Sequence, residues 1–433
     1  MKRILFKTIV LTPFLFYFTP SLAAGLFFNI TNAGTTLSIT TTIPHHTYPN
    51  AGIKINTAGY SIASGCTPAA NGYCLFSVSD THSTTLSING STGTMNASLC
   101  LSGLGPLSCQ NYSLSLVATT AYVANFNNDT VSICPVKSDG SFGACTTSSG
   151  NDTFNGPRSM ALNPAKTMVY IGNYNNNTVS ICPISGSGSL GTCTSATDST
   201  FNGLTGVALN SSGTYFYASS NSGGTISICP VNANGSLGTC SSSTGSGRVS
   251  FASNQFVSLQ VTNGTTYLYA TGTPTQNAMA VCSIDNTTGS ITSYDLSSGS
   301  SPSPNPTVLT PQGLSFNNAG TFAYIGNAGS TDSFINYVSI CPTQSNGTFG
   351  TSLCSISFGP DSNGNGTFNF TAASGIGLFM SSASNYGYIP NNGNNTVSIC
   401  TLNTSDGSLS ACTTTNGNGT FNKPSAIVLK TAS

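Results

Sequence analysis

Fifteen cysteines carry the most definite chemistry in this chain, and ten of them recur as pairs 11 to 13 residues apart. The pairs are Cys134 with Cys145, Cys182 with Cys193, Cys229 with Cys240, Cys341 with Cys354 and Cys400 with Cys412. Each flanks a turn rich in Gly, Ser and Asn between two short strands, as in TVSICPV followed by FGAC, which sets the sulfurs across neighbouring strands at bonding distance. A bridge closing so short a loop stabilises its hairpin by roughly 2 to 3 kcal/mol in the chain-entropy model. Upstream, Cys66 with Cys74 and Cys100 with Cys109 form two further local pairs. A sixth copy of the pattern keeps Cys282 but has Tyr294 where the second cysteine belongs, so Cys282 is expected to be a free thiol serving as a small buried apolar group.

Acid, base and metal chemistry is sparse. All ten acidic residues are Asp; there is no Glu and no Trp, and the only histidines are His45, His46 and His82. The repeat region therefore lacks the usual general base, the Ser/His pairing and most metal clusters. Its loops offer Asp129, Asp152, Asp198, Asp332 and Asp361, with Arg158 and Arg248 able to bind a carboxylate or phosphate or to make plain surface contacts. Asn127 and Asn128 in FNND, and Asn175 and Asn176 in YNNN, can hydrogen-bond a glycan or satisfy turn backbones. DSNGNG from Asp361 resembles a calcium loop with Asn363, Asn365 and Gly366, but its twelfth position is Ala372, which supplies no bidentate carboxylate. Adjacent His45 and His46 would face opposite sides of a strand. No metal and no cofactor is expected.

The elements that would hold these residues are β-strands of an exported protein. Residues 1–24 have a basic start (Lys2, Arg3, Lys7), an apolar centre and a small-residue end, the layout of a secretory signal peptide. No later stretch is long and apolar enough to span a bilayer. Paired cysteines behind an export signal point to an oxidising location, whether periplasm, cell surface or medium. Removing 1–24 leaves seven basic residues against ten acidic ones, so no basic stripe is available to neutralise phosphates and nucleic acid is not an expected partner. Short runs of alternating apolar residues, ended by Asn-Gly, Ser-Gly or Asn-Asn turns, make the chain all-β.

A tyrosine marks every copy of the repeat: YVAN from Tyr122, YIGN from Tyr170, YASS from Tyr217, YATG from Tyr269, YIGN from Tyr324 and YIPN from Tyr388. The intervals of 48, 47, 52, 55 and 64 residues suit four-stranded propeller blades, read for the second copy as TMVYIGN, NTVSICPI, LGTC and TGVALN. Together with strings such as PRSMALNPAKTMVYIGNYNNNTVSIC, these marks resemble the YVTN-type β-propeller repeat, whose relatives include lactonase-like and surface-layer-type propellers of exported bacterial proteins. The resemblance covers about Tyr112 to the C-terminus and implies a β-propeller at 112–433. Six blades are favoured, SAIVLK at 425–430 completing the first blade beside TAYVAN; with YSLSLVA at 112–118 as an inner strand, seven are possible. The segment 25–111 lacks the repeat and reads as a small β-sandwich of immunoglobulin type. GYCLFSVSD within it and GPLSCQNYSLS across its end are similar to strings preceding propellers of exported bacterial proteins.

The long loops of a propeller gather on one face, where a binding surface belongs. Within them TFN recurs at Phe154, Phe201, Phe368 and Phe421, either as aromatics stacking on a ligand or, as repetition at one structural position demands, as wedges between blades. The expectation is a monomeric binding module taking a protein or glycan at the long-loop face. A lactonase-like hydrolase using Asp in the channel is the alternative, and a component of an extracellular layer a third.

Overall fold

The computed structural model describes residues 28–430 except 34–35, 42–46, 57–60, 70–72, 80–83, 90–92, 101–108, 117–118, 138, 248, 252–255, 272–277, 299–310, 318, 328–335, 350–353, 360–365, 370–378 and 382–384. The expected signal peptide, His45, His46, His82, Arg248, Asp332 and Asp361 lie outside the described residues. No helix occurs among the described residues, and none is long and apolar enough to cross a membrane.

The chain divides into two compact units, 1–117 and 118–433. The first is a two-sheet sandwich: a four-stranded sheet holding Phe28–Ala33, Thr36–Thr41, Thr84–Asn89 and Ser61–Ser64, and a five-stranded sheet centred on Thr47–Ile55. Ile39 and Leu86 from one sheet, and Ala51, Ile53, Phe76, Val78, Ala97 and Leu99 from the other, are buried. Cys109–Leu116 pairs along its length with Gly93–Cys100 in the five-stranded sheet. That pairing moves the division six residues beyond the expected one after 111, and it overturns the seven-blade alternative, because the strand needed for an extra blade is already taken.

Among the described residues, the second unit contains six four-stranded antiparallel sheets. Blade 2 runs from the axis outward as Pro157–Leu162, Met168–Asn173, Thr178–Pro183 and Thr194–Thr197. The innermost strands touch in order, Pro157–Leu162 to Leu204–Leu209, Val257–Thr262, Pro311–Phe316, Phe379–Ser381, Pro424–Lys430 and back, which closes a ring. Pro424–Lys430 is the innermost strand of blade 1 and pairs with Thr119–Asn125, so both ends of the repeat share one sheet and the ring has no open seam. Second strands are covered on both faces by neighbouring blades, and so read as continuous apolar runs such as VYIG and FAYI.

All seven expected bridges are present. Ile181 pairs with Thr194, so the next pair along, Cys182 with Cys193, is directly opposed, at a Cα separation of 4.2 Å. This is the close spacing of a non-hydrogen-bonded antiparallel pair. The same register sets Tyr294 opposite Cys282, since Val281 pairs with Asp295, and Cys282 is a buried free thiol. One strand assignment is corrected. LGTC is a turn held by an isolated bridge from Ile184 to Leu190; the outer strand is the following TSAT, and TGVALN belongs to the next blade. LGTC mimics a strand because its cysteine must reach the register of the third strand.

Candidate functional site

The turns between second and third strands and the loops from outer to next inner strands lie on one face, and a repeated clamp locks them together. The last residue of the second strand is buried and bonds in two directions. Asn173 accepts from the Asn155 N–H at 3.1 Å and donates to the Ser180 hydroxyl at 2.8 Å and to the Thr153 carbonyl. Asn125 and Asn391 repeat this with Asn422 and Asn369. Ser220, which breaks the sequence pattern, does the same work: its hydroxyl accepts from the Asn202 N–H and donates to the Thr200 carbonyl. The fourth turn residue adds a second tie. Asp129, Asn177 and Asn395 adopt the left-handed conformation that Asn and Asp tolerate, and accept from the N–H of Gly156, Gly203 and Lys423 at 2.6, 2.6 and 2.7 Å.

The recurring phenylalanines belong to packing. Phe154, Phe201, Phe368 and Phe421 are buried, each against the anchor tyrosine of the preceding blade.

Non-repeating residues gather where blades 1 and 2 meet. Phe126 and Tyr174, each following an anchor Asn, hold their ring centroids 6.3 Å apart and tilted by 52°. The Arg158 guanidinium lies over the Tyr174 ring at 4.6 Å and the Lys423 ammonium over Phe126 at 5.2 Å, giving a ladder of cation, ring, ring and cation. Arg158 sits at a bulge opening the innermost strand, where register slips between Pro157 and Ser159; Thr205 and Gln312 occupy the same bulge in blades 3 and 5. It is 6 % exposed, and burial pushes its guanidinium down to about 10 against the favourable field and hydrogen bond of Tyr174. Asn127, Asn128, Asn175 and Asn176 are exposed on the two turns carrying the rings. Asn128 and Asn176 accept from the hydroxyls of Thr130 and Thr178, which fixes their turns, whereas Asn127 and Asn175 tie in through their backbone N–H groups, the Asn175 amide lying over Gly156.

The structure thus brings together five of the seven sequence candidates: Arg158 and the four asparagines. Sequence reasoning missed Phe126, Tyr174 and Lys423 as members of the site. Their signal was departure from the repeat, as in FNKP at Phe421–Pro424 against FNGP and FNGL.

Of the described loop acids, Asp152 is exposed, and Asp129 and Asp198 are engaged with backbone N–H groups. Asp129 holds the Gly156 N–H. Asp198 accepts from the N–H groups of Thr200 and Cys240 and from the Thr200 hydroxyl; burial opposes ionisation, but these bonds outweigh it and keep the carboxyl below its ordinary value. It is the one charged residue lining an open groove of about 260 Å³ between Thr194–Thr197 of blade 2 and the Ser236–Gly238 turn of blade 3. Among the described residues no three His, Cys, Asp or Glu side chains converge on a metal position.

No protein-family model and no curated protein matches the chain. Among solved structures it is similar to a provisionally assigned 6-phosphogluconolactonase from Bacteroides uniformis, at 13 % identity over 88 % of this chain and 100 % of that one, with a TM-score of 0.48. The periplasmic gluconolactonase of Pseudomonas aeruginosa aligns at 12 % identity over 72 % and 99 %, with a TM-score of 0.49. A nidogen/laminin complex aligns at 12 % over 72 % and 98 %, with a TM-score of 0.47. At such values the likenesses assign no activity; the propeller assignment stands on the six sheets and their closure.

Proposed function

We propose that this chain is an exported propeller of the YVTN-repeat type that works as a binding module, holding a glycan or protein at the long-loop face of blades 1 and 2. Export is supported by seven bridges, which persist in oxidising surroundings and not against a reducing cytosol. The observation that carries the recognition reading is the pair of exposed residues Asn127 and Asn175 on turns already fixed by buried clamps, beside half-buried rings at Phe126 and Tyr174. Groups held rigid before a ligand arrives lose little freedom on binding. A lactonase-like reaction would draw on free acids at the channel mouth; Asp129 and Asp198 are committed to backbone N–H groups, which leaves the exposed Asp152 as the described loop acid such a reaction would need.

The test is a panel of immobilised glycans and cell-surface proteins probed with the exported form of the chain and with its Asn127→Ala/Asn175→Ala variant. The reading expects saturable binding that the double variant loses by about ten-fold, roughly one to two hydrogen bonds' worth. Hydrolysis of sugar lactones by the unaltered chain, kept in full by the variant, would overturn it.

A further inference from the structure

We propose that Lys423, Phe126, Tyr174 and Arg158 form a subsite for the carboxylate-bearing sugar of an acidic glycan, at the junction of blades 1 and 2. This rests on the recognition reading above and names its ligand class.

The first support is the contrast between what repeats and what does not. Tyrosine anchors, TFN phenylalanines and turn glycines recur because packing demands them at every blade. The position after the second-strand anchor does not: it is Phe126 and Tyr174 in blades 1 and 2 but Asn221 and Asn392 in blades 3 and 6. At the bulge, Arg158 stands where other blades have Thr205, Gln312 and Ser425. A scaffold that tolerates small neutral residues elsewhere has two aromatics and two cations here, in contact with one another.

Lys423 supplies the second, independent support. The equivalent residues Gly156 and Gly203 have φ of 62° and 68°, the left-handed region in which glycine is at ease. Lys423 is held there at 52°, making the same N–H bond to Asn395 that the glycines make to their own turns. A long side chain in this conformation is strained, and glycine would serve the fold better. What lysine adds is an ammonium over the Phe126 ring.

The chemistry of the group fits one ligand class. A sugar acid offers an apolar C–H face for aromatic rings, hydroxyls for amides and a carboxylate for cations. Half-buried Phe126 and Tyr174 supply the rings, Asn127 and Asn175 the amides, and half-buried Lys423 the direct charge. Buried Arg158 is a positioning residue: it seats the Tyr174 ring and adds fixed positive potential beneath it. Asp129 is the nearby acid, held by the Gly156 N–H.

Because glycine suits position 423, Lys423→Gly removes the ammonium without endangering the fold. Calorimetric titration would compare an oligogalacturonate, the same oligomer with its carboxylates reduced to alcohols, and poly-aspartate, against the unaltered chain, Lys423→Gly and Lys423→Arg. The expected result is a preference for the acidic oligomer of about ten-fold, one charge-assisted bond. That preference should vanish in Lys423→Gly, whose melting temperature is unchanged or higher, and persist in Lys423→Arg. Equal binding of acidic and reduced oligomers, both lost in Asn127→Ala/Asn175→Ala, would overturn the subsite and leave the recognition reading standing. A preference surviving Lys423→Gly overturns the subsite, poly-aspartate binding as tightly as the oligomer overturns the glycan class, and binding of none of the probes overturns the proposal as a whole.

Discussion

The Tyr388 hydroxyl donates a 3.0 Å hydrogen bond to the carbonyl of Gly140, joining the sixth blade to the first. Five equivalent bonds precede it: Tyr122 to Gly188, Tyr170 to Gly235, Tyr217 to Gly289, Tyr269 to Gly347 and Tyr324 to Gly407. Every anchor tyrosine thus reaches the glycine turn of the next blade, and the circuit closes on itself. The glycines are required there: all six have φ between 71° and 86°, and in blade 1 a Cβ on Gly140 would fall 2.5 Å from the Tyr386 ring. Tyr388→Phe leaves the buried Gly140 carbonyl without its partner and should cost about 1 to 2 kcal/mol. Urea unfolding of this variant and of Tyr122→Phe should give similar losses, because a closed ring has no weak junction; a negligible loss at Tyr388 alone would indicate an open one.

The closing strand makes a harsher test. Pro424–Lys430 completes blade 1, buries Ala426, Ile427 and Leu429, and its Ser425 hydroxyl donates to the Pro157 carbonyl of the neighbouring inner strand. Ending the chain before Pro424 should expose the edge of Thr119–Asn125 and abolish cooperative unfolding, read by near-ultraviolet circular dichroism. A truncated chain that melts like the intact one would contradict ring closure.

Cys282 offers a gain-of-bond prediction. Tyr294 stands in the bridging register with a sequence separation comparable to the 11 to 13 residues of the repeat's other pairs. Tyr294→Cys should form an eighth bridge, leaving no thiol to titrate in denaturant. It should stabilise the hairpin by about 2 to 3 kcal/mol, offset in part by loss of the Tyr294 contacts with the Ser243 hydroxyl and the Phe251 ring. In the unaltered chain, mass mapping should find seven local bridges and one unmodified cysteine.

Alkaline pH should unfold the protein. Burial raises the hydroxyls of Tyr122, Tyr170, Tyr217, Tyr269 and Tyr324 above their ordinary value and pushes the Cys282 thiol up to about 12. The unfolded chain loses these protons first, so it binds fewer protons than the folded one, and stability falls as pH rises. The loss begins near the unfolded values of about 8.5 for Cys and 10 for Tyr. Urea midpoints should be flat up to about pH 8 and drop steeply beyond about pH 10, less so in Tyr→Phe variants. Midpoints insensitive to alkali would mean the hydroxyls are exposed.

The cysteine framework was legible in the sequence because disulfide chemistry constrains register: opposed positions on two strands must sum to a constant, and the spacing of Cys182 and Cys193 reports that sum directly. Blade closure by 425–430 was legible for a similar reason, since the repeat begins mid-blade and leaves an inner strand owing. The role of the YVAN-type Asn was obscured by Ser220, because letters differ where hydrogen-bond capacity does not. The ladder from Lys423 to Arg158 was hidden for a topological reason. Its members come from an inner-strand bulge, two turns on separate blades and a loop almost 300 residues downstream, adjacent only once the ring closes.

In the proposed function, repeating residues build the ring and the departures at blades 1 and 2 do the recognising. Amide hydrogen exchange with and without saturating oligogalacturonate addresses both halves at once. Ligand-dependent protection should be confined to residues 126–129, 174–177 and 422–423, with none at the equivalent turns 221–224 and 392–395. Protection spread evenly over the equivalent turns, or confined to blades 3 and 6, would contradict it.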